Sequence, residues 1–141
     1  GNLNAYRDWG FAKDYVEAMW LILQQPKPDD FVLSSGQQHS IRDFVHEAFE
    51  LCGFNIAWRG SGTDEVGFDK NTDRTLVEVN PSFFRPSEVD TLIGDSGKAN
   101  NILNWDSKTP FKELVYLMVE ADLKESGLDP KKFLKPCMVD R

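Results

Sequence analysis

The sequence contains few of the features that identify secreted or membrane proteins. It has 2 cysteines in 141 residues, and Cys52 and Cys137 cannot cross-link a fold of this size, so free thiols in a reducing compartment are expected. The longest apolar run, residues 18–23, is far shorter than the roughly 20 residues that span a bilayer. No basic segment precedes an apolar run at the N-terminus, as a secretory signal requires. These absences predict a cytoplasmic protein with no disulfides and no membrane contact.

Positive charge is also scarce, and this restricts the choice of partners. The chain has 16 Lys and Arg residues against 23 Asp and Glu residues, a net charge of −7. A surface that follows nucleic-acid phosphates needs a clustered excess of cations, so nucleic acid is not expected as a partner. The apolar fraction of 40%, with 12% aromatic residues, is too high for a disordered chain. The composition therefore predicts an acidic globular protein with room for one core.

The standard catalytic and metal-binding motifs are missing as well. The sequence has no G-x-G-x-x-G after a predicted strand, no G-x-x-x-x-G-K-[ST], no G-x-S-x-G and no H-E-x-x-H. No Cys or carboxylate set at ligand spacing accompanies His39 and His46. We therefore predict a loop position for His39, a surface position for His46, no metal site and no catalytic residue within this chain.

Hydrophobic periodicity predicts four helices and three strands. The helices are expected over 11–25, 40–53, 96–103 and 109–127, and the strands over 30–34, 55–59 and 75–79. The polar stretch 60–74 is expected to be a long loop or lid. Ser40 and Asp43 predict a start close to a capping box for the second helix. Thr109 is expected to cap the fourth helix, with Pro110 at its first position. The alternation of helices and strands predicts an α/β fold.

Two arginines stand out in this acidic chain because each lies in a turn beside aromatic residues. Arg7 precedes the first predicted helix, and Arg85 precedes a proline that restricts its backbone. Guanidinium groups donate paired hydrogen bonds to phosphate oxygens, and helix N-termini add N–H groups, so this placement suits a diphosphate. Structural ion pairs are the alternative, with Asp8 or Asp14 as the partner of Arg7 and Glu88 as the partner of Arg85. The pattern alone leaves both interpretations open.

Three sequence blocks, taken in order, carry a resemblance to a known family. They are N-L-N-A-Y-R-D-W-G-F-A-K-D-Y-V-E-A-M-W at residues 2–20, D-E-V-G at 64–67 and F-R-P-S-E-V-D at 84–90. Together they resemble the GDP-mannose 4,6-dehydratases, which belong to the extended short-chain dehydrogenase/reductase superfamily. The resemblance extends from residue 1 to about residue 123. Phe11 departs from it, since the family usually has histidine there, and so does Asn104, where glycine is commoner.

The resemblance implies a fold class and a division of the chain. The fold implied is α/β, the C-terminal portion of an NAD(P)-binding, Rossmann-type extended short-chain dehydrogenase/reductase, helix-rich with a few short strands. Residues 1–125 are then the substrate-binding portion, with a strand of the Rossmann sheet at 31–33, and residues 126–141 are a C-terminal extension. The family's glycine-rich loop and its Ser/Thr, Glu and Tyr-x-x-x-Lys catalytic set have no counterpart here. We therefore expect NADP to bind mainly outside this chain, and the chain alone to be inactive.

The resemblance also implies an activity for the full-length protein. An NADP-dependent lyase of this family removes water from GDP-mannose to give GDP-4-keto-6-deoxymannose, the first step of GDP-fucose synthesis. Family members are usually homo-oligomers, dimers or tetramers. Two alternatives stay open: another nucleotide-sugar epimerase, reductase or dehydratase of the superfamily, and a non-catalytic module that binds nucleotide sugars.

Candidate binding residues follow from the resemblance, position by position. Arg7 and Arg85 are expected to hold the diphosphate of GDP, and Glu88 a hydroxyl of its ribose. Asn2 and Leu3 are expected to line the nucleotide pocket. The positions expected to be structural, setting the turn and the entry to the first helix, are Asp8, Trp9, Asp14 and Tyr15. With the family blocks matched, ligand binding becomes the preferred interpretation of the two arginines.

Overall fold

Helices and two small antiparallel sheets make up the residues that the computed structural model describes, 1–85, 87, 89 and 91–135. The helices among them are α1 (Ala12–Leu23), α2 (Ile41–Leu51), α3 (Gly97–Leu103) and α4 (Phe111–Glu125). The strands are β1 (Tyr6–Arg7), β2 (His39–Ser40), β3 (Ile56–Arg59), β4 (Val66–Asp69) and β5 (Thr75–Glu78). Short 3₁₀ turns lie at Gly62–Asp64, Pro81–Phe83 and Pro130–Lys132. Cys137 lies outside the described residues.

The helix starts show how local sequence signals operate. Ser40 caps α2: its hydroxyl accepts a hydrogen bond from the Asp43 N–H at 3.0 Å, and the Asp43 carboxylate accepts one from the Ser40 N–H at 2.8 Å. This reciprocal pair is the predicted capping box. The start of α4 differs from its prediction, because Pro110 is the cap and not the first helical residue. Thr109 precedes the cap, and its N–H donates to the Asp14 carboxylate at 2.9 Å.

The stretch predicted as a long polar loop or lid, residues 60–74, contains a strand, so that prediction is wrong. β4 lies in the middle of an antiparallel sheet with the order β3–β4–β5. Gly67 concealed the strand, because glycine is depleted in strands. The fold nevertheless requires glycine here, since a Cβ at position 67 would lie 2.9 Å from the ring of Trp58 on β3.

Residues 31–33, predicted as a buried strand of a larger sheet, form no strand among the described residues. Extended backbone becomes a strand only when a neighbouring segment pairs with its N–H and C=O groups, and neither of the two described sheets includes this segment. Phe31 and Leu33 pack against the core, whereas Val32 is exposed. The side chains therefore alternate as in a strand, but the strand prediction is wrong for this chain on its own.

The main core lies between α1, α3 and the residues that follow α3. Its buried cluster consists of Ala18, Ala99, Leu103 and Trp105. Trp105 is 1% exposed, and its indole Nε1 donates to the carbonyl oxygen of Asp14 at 2.9 Å. A buried tryptophan adds a large apolar area, and the satisfied N–H avoids the cost of an unpaired donor. This contact anchors the end of α3 to α1.

A second, aromatic cluster joins the turn before α1 to α2 and α4. The Trp9 ring lies 5.8 Å from Phe111, stacked, and 5.4 Å from Phe44, edge to face. His39 stacks on Phe111 with the ring centroids 3.7 Å apart. The predicted loop position of His39 is wrong, since His39 belongs to β2 and pairs with β1. His46 is exposed on α2, as predicted.

Residues 126–135 lie against the helices. The N–H of Lys135 donates to the carbonyl of Leu51 at the end of α2, and the N–H of Leu128 donates to Leu123 in α4, each at 2.9 Å. The boundary at residue 125 between a substrate-binding portion and an extension stays a prediction. Among the described residues, no helix has both the length and the hydropathy to cross a lipid bilayer.

Candidate functional site

A cleft of about 260 Å³ lies between the N-terminal segment, the start of α2 and the turn Pro81–Phe83. Four of the five predicted site residues line it: Asn2, Leu3, Arg7 and Arg85. The fifth, Glu88, lies outside the described residues. The structure therefore brings both arginines to one cleft, although they are far apart in the sequence.

β1 holds Arg7 at this cleft. Its Nη1 donates to the carbonyl oxygens of Tyr6 and Val89, each at 2.7 Å. Tyr6 also forms a parallel bridge with Thr91. Val89 and Thr91 follow Arg85 in the sequence, so these contacts hold the two arginine-bearing segments side by side.

Asp8 organises a loop next to the site. Its carboxylate accepts hydrogen bonds from the N–H groups of Ser35 and Gly36, at 2.9 and 3.0 Å, and from the Ser35 hydroxyl at 2.6 Å. Backbone N–H groups bound to an ionised carboxylate fix a loop firmly. Asp8 therefore has a structural role, as predicted, but these contacts fix the loop at Ser35 and Gly36 and not the entry to α1.

Asp14, on α1, likewise fixes a neighbouring segment through its carboxylate, in this case the residues just before α4. It is buried, and its carboxylate accepts hydrogen bonds from the N–H groups of Lys108 and Thr109, at 3.0 and 2.9 Å. These two bonds offset the cost of burying the charge. Burial raises the pKa of the nearby Tyr15 hydroxyl, and the charges of Asp8 and Asp14 raise it further. The role of Asp14 is structural, as predicted, but its hydrogen bonds fix the segment before α4 and not the entry to α1.

The N-terminal segment forms one wall of the cleft and is bound to α2 through backbone groups. The N–H of Ile41 donates to the Ala5 carbonyl at 3.2 Å, and the N–H of Arg42 donates to the Leu3 carbonyl at 2.9 Å. The Leu3 side chain is buried, so it forms a packed wall. Because these two N–H groups already have protein partners, they are not available to a ligand in the cleft.

Sequence reasoning missed two residues, Arg42 and Glu65, that join this wall to the β3–β4–β5 sheet. The Arg42 guanidinium donates to both carboxylate oxygens of Glu65, at 2.8 and 3.0 Å. It also donates to the side-chain oxygen of Asn4, at 3.0 Å. The sequence signal was partial: Arg42 is a cation in the first turn of a predicted helix, where the helix dipole disfavours it, but no local rule relates it to Glu65.

A second cleft, of about 430 Å³, lies between the first turns of α2 and α4 and is lined in part by His39, Asp43, His46 and Lys112. Burial raises the pKa of Asp43, but hydrogen bonds from the N–H and hydroxyl of Ser40 bring it below its usual range. The charges of His39 and His46 act in the same direction. Within the described ranges, no group of three or more His, Cys, Asp or Glu side chains is arranged to hold a metal ion.

One glycine pair invites comparison with a dinucleotide-binding loop. Gly60 directly follows β3, and Gly62 lies two residues further along the chain. A dinucleotide loop opens a helix whose N-terminus holds the pyrophosphate. Here the pair leads into the 3₁₀ turn Gly62–Asp64 and then into β4, so these residues do not fit NADP.

Comparison with known proteins places this site in a family context. The family model for GDP-mannose 4,6 dehydratase matches residues 1–118. Among curated relatives, the GDP-mannose 4,6 dehydratase of Drosophila melanogaster is 51% identical over 130 residues, 92% of this chain and 33% of that protein. The protein of the same name from Homo sapiens is 49% identical over 130 residues, which are 92% of this chain and 35% of the human protein. The chain thus spans about a third of the length of the curated relatives it matches.

The fold also has a counterpart among solved structures. The structure of RMD from Pseudomonas aeruginosa complexed with NADPH aligns with a TM-score of 0.62, covering 89% of this chain and 35% of that chain. The two sequences are 14% identical, so the likeness establishes the fold, which is the α/β class predicted above. The family match over residues 1–118 confirms the resemblance of the three sequence blocks: the chain belongs to the GDP-mannose 4,6-dehydratase family.

Proposed function

We propose that this chain supplies the nucleotide-binding part of an NADP-dependent GDP-mannose 4,6-dehydratase. The complete protein would remove water from GDP-mannose to give GDP-4-keto-6-deoxymannose. The observation that carries the proposal is the meeting of Arg7 and Arg85 at one cleft, with Asn2 and Leu3 on its wall. Residues 1–125 form the substrate-binding portion in this proposal, residues 126–141 are an extension, and the complete protein is a homo-oligomer.

A pair of arginines suits a nucleoside diphosphate for two physical reasons. Each guanidinium fork donates paired hydrogen bonds in the geometry that phosphate oxygens accept. The chain as a whole carries a net charge of −7, which repels an anionic ligand. The binding of such a ligand therefore depends on cationic side chains grouped at its site. Arg7 and Arg85 provide this concentration, and Glu88 is proposed to hold a ribose hydroxyl.

Binding the nucleotide contributes to catalysis at a distance. The GDP moiety is remote from the carbons of the hexose that react. Binding energy from such a remote part can be used to orient the reacting part, which lowers the entropic cost of reaching the transition state. In this proposal, the cleft residues bind and orient GDP-mannose and transfer no proton.

NADP supplies the redox chemistry and is proposed to bind outside this chain. The glycine pair at residues 60–62 leads into a short 3₁₀ turn and does not open an α-helix, and the sequence lacks the family's Ser/Thr, Glu and Tyr-x-x-x-Lys set. The isolated chain is therefore expected to give no product from GDP-mannose and added NADP. Measurable turnover by the isolated chain would contradict this division of roles.

Substitution of Arg85 tests the proposed diphosphate contact. In the full polypeptide that carries this chain, Arg85→Ala should weaken GDP binding, measured by titration calorimetry, by about 1–3 kcal/mol, the scale of losing charge-assisted hydrogen bonds. The matched control is Arg74→Ala, because Arg74 is exposed in the turn between β4 and β5 and does not line the cleft. It should leave GDP binding unchanged.

Two results would contradict the proposal. Unchanged GDP affinity in Arg85→Ala would favour a structural ion pair for this arginine. Tighter binding of UDP-glucose or dTDP-glucose than of GDP-mannose by the unsubstituted protein would favour another nucleotide-sugar enzyme of the superfamily.

A further inference from the structure

The Arg42 guanidinium connects three parts of the molecule. It donates two hydrogen bonds to the Glu65 carboxylate, at 2.8 and 3.0 Å, and two to the Asn4 side-chain oxygen, at 3.0 and 3.3 Å. It also lies over the Trp58 ring, 4.6 Å from the centroid. Arg42 belongs to α2, Trp58 to β3, and Glu65 directly precedes β4. The guanidinium therefore joins helix, sheet and N-terminal segment at one point.

This arrangement differs from an ordinary surface ion pair. The side chains of Arg42 and Glu65 are 26% and 14% exposed, whereas those of Arg59 and Asp73, a pair that involves the same sheet, are 51% and 75% exposed. A partly buried pair with paired hydrogen bonds is less screened by solvent and keeps its geometry better than an exposed one. Because Arg42 lies in the first turn of α2, where the helix dipole disfavours a cation, Glu65 provides the counter-charge.

Asn4 links Arg42 to the residues that line the cleft, because it is hydrogen-bonded both to Arg42 and to Asn2. The N–H of Asn4 donates to the side-chain oxygen of Asn2 at 2.9 Å, and both Asn2 and Leu3 line the cleft. The backbone N–H of Arg42 donates to the Leu3 carbonyl at 2.9 Å. Arg42 is thus hydrogen-bonded to the N-terminal segment at two points: its backbone N–H binds Leu3, and its guanidinium binds Asn4.

We infer that Arg42 is a positioning residue for the nucleotide cleft, which acts through Asn4 and has Glu65 as its counter-charge. The inference rests on the proposed function, because a positioned wall matters only if the cleft binds GDP. Lysine cannot replace the guanidinium, since an ammonium is a point charge without the planar fork that reaches Glu65 and Asn4 together. Without this link, only the backbone bonds from Ile41 and Arg42 hold the N-terminal segment, so the wall formed by Asn2 and Leu3 is less firmly placed relative to Arg7 and Arg85.

The test compares Arg42→Lys, Asn4→Ala and the double variant in the full polypeptide that carries this chain, with GDP as the titrated ligand. Each single substitution should weaken GDP binding about tenfold, a loss on the scale of the charge-assisted hydrogen bonds that are broken between Arg42 and Asn4. The double variant should bind GDP no more weakly than the weaker single variant, because both substitutions break the same link. Urea unfolding of each variant measures stability separately.

Arg59→Lys is the matched control. Arg59 lies over the Phe68 ring at 4.7 Å and pairs with Asp73 at 3.0 Å, so it shares the chemistry of Arg42 but does not contact Asn4. It should leave GDP binding unchanged. Because Asn4 is exposed, Asn4→Ala keeps the test available even if Arg42→Lys does not fold.

Three outcomes would overturn the inference. If Arg42→Lys or Asn4→Ala lowers only the free energy of unfolding and leaves the GDP dissociation constant unchanged, the link is structural and does not position the cleft. Additive losses in the double variant would exclude the route through Asn4. Absence of GDP binding by the unsubstituted protein overturns the proposed function together with this inference, whereas GDP binding that survives both single substitutions overturns the inference alone.

Discussion

Asp69 holds the turn between β4 and β5 through a single carboxylate. The Thr72 hydroxyl donates to it at 2.8 Å, and the N–H groups of Asn55 and Asn71 donate to it at 3.2 and 3.3 Å. The hydrogen bond from Thr72, opposed by burial and supported by the N–H groups, lowers the pKa of Asp69 below its usual value of 3.8. The turn therefore depends on the ionised form of this side chain.

Acid should remove the stability that Asp69 contributes. Because the folded-state pKa is lower than the unfolded-state pKa, this contribution is fully present above the usual value of 3.8 and is lost as the pH falls through the folded-state pKa. The free-energy difference of unfolding between the unsubstituted chain and Asp69→Asn should therefore shrink between about pH 7 and about pH 3. Urea unfolding at both pH values measures it. Asp122→Asn, an exposed change on α4, should give a small difference throughout, and a pH-independent difference for Asp69→Asn would contradict the argument.

The site residues show what can be predicted at the level of single residues. Arg7 and Arg85 stand out in the sequence because aromatic residues flank them, but the predicted turn position of Arg7 is wrong, since Arg7 belongs to β1. Pattern alone leaves ion pairs open, and only the family blocks favour a ligand. The contact from Arg7 to the Val89 carbonyl could not be predicted, because it joins segments that no local rule relates. Arg42 was missed for the same reason, since its partners lie at residues 4 and 65.

Helices and strands differ in how well the sequence predicts them. The start of α2 was predicted because the capping residues Ser40 and Asp43 are three positions apart and interact locally. β4 was missed because its stability comes from two neighbouring strands, and Gly67 in its middle hides the pattern. The segment 31–33 shows the opposite error: its composition suits a strand, but strand formation requires a partner that neither described sheet provides.

The side chains of β3 pack closely against Gly67, so a larger residue at this position should disrupt the sheet. A Cβ at this position would lie 2.9 Å from the Trp58 ring and 3.0 Å from the Ile56 Cδ1. Gly67→Ala should therefore lower the free energy of unfolding by about 1–3 kcal/mol, the usual cost of overpacking, as measured by urea denaturation. Gly97→Ala is the control, because a Cβ there would meet only the flexible Asp95 carboxylate, at 3.1 Å. Equal stability of the two variants would contradict the packing argument.

At the scale of the whole molecule, α1 is apolar on two opposite faces. Ala18 lies in the core, whereas Val16, Met19, Trp20 and Leu23 are between 56% and 80% exposed. These four residues, here called the α1 stripe, have the spacing of one helix face. A surface helix normally has a single apolar face, so the stripe indicates a missing neighbour. In the proposed division of the protein, that neighbour is the rest of the Rossmann sheet.

The α1 stripe should make the isolated chain associate with itself. An apolar surface of this kind favours burial against another copy when its neighbour is absent. Sedimentation velocity of the isolated chain should therefore show concentration-dependent association, and the double substitution Met19→Lys and Leu23→Glu should abolish it. Ile102→Lys, which changes an exposed apolar residue of α3 outside the stripe, should leave the association unchanged. A chain that is monomeric without substitution, or association that survives the double substitution, would contradict this prediction.

The backbone bonds between the N-terminal segment and α2 have an evolutionary consequence. The donors are the N–H groups of Ile41 and Arg42, and the acceptors are the carbonyls of Ala5 and Leu3. Every residue type except proline carries both groups. The backbone attachment itself therefore tolerates sequence drift at these positions, provided that no proline takes a donor position. The Arg42 side chain does not share this tolerance, because it also donates to Asn4. Distant relatives can thus keep the N-terminal segment attached to α2 with different side chains at positions 3, 5 and 41, while the guanidinium at position 42 still sets the fine position of the wall.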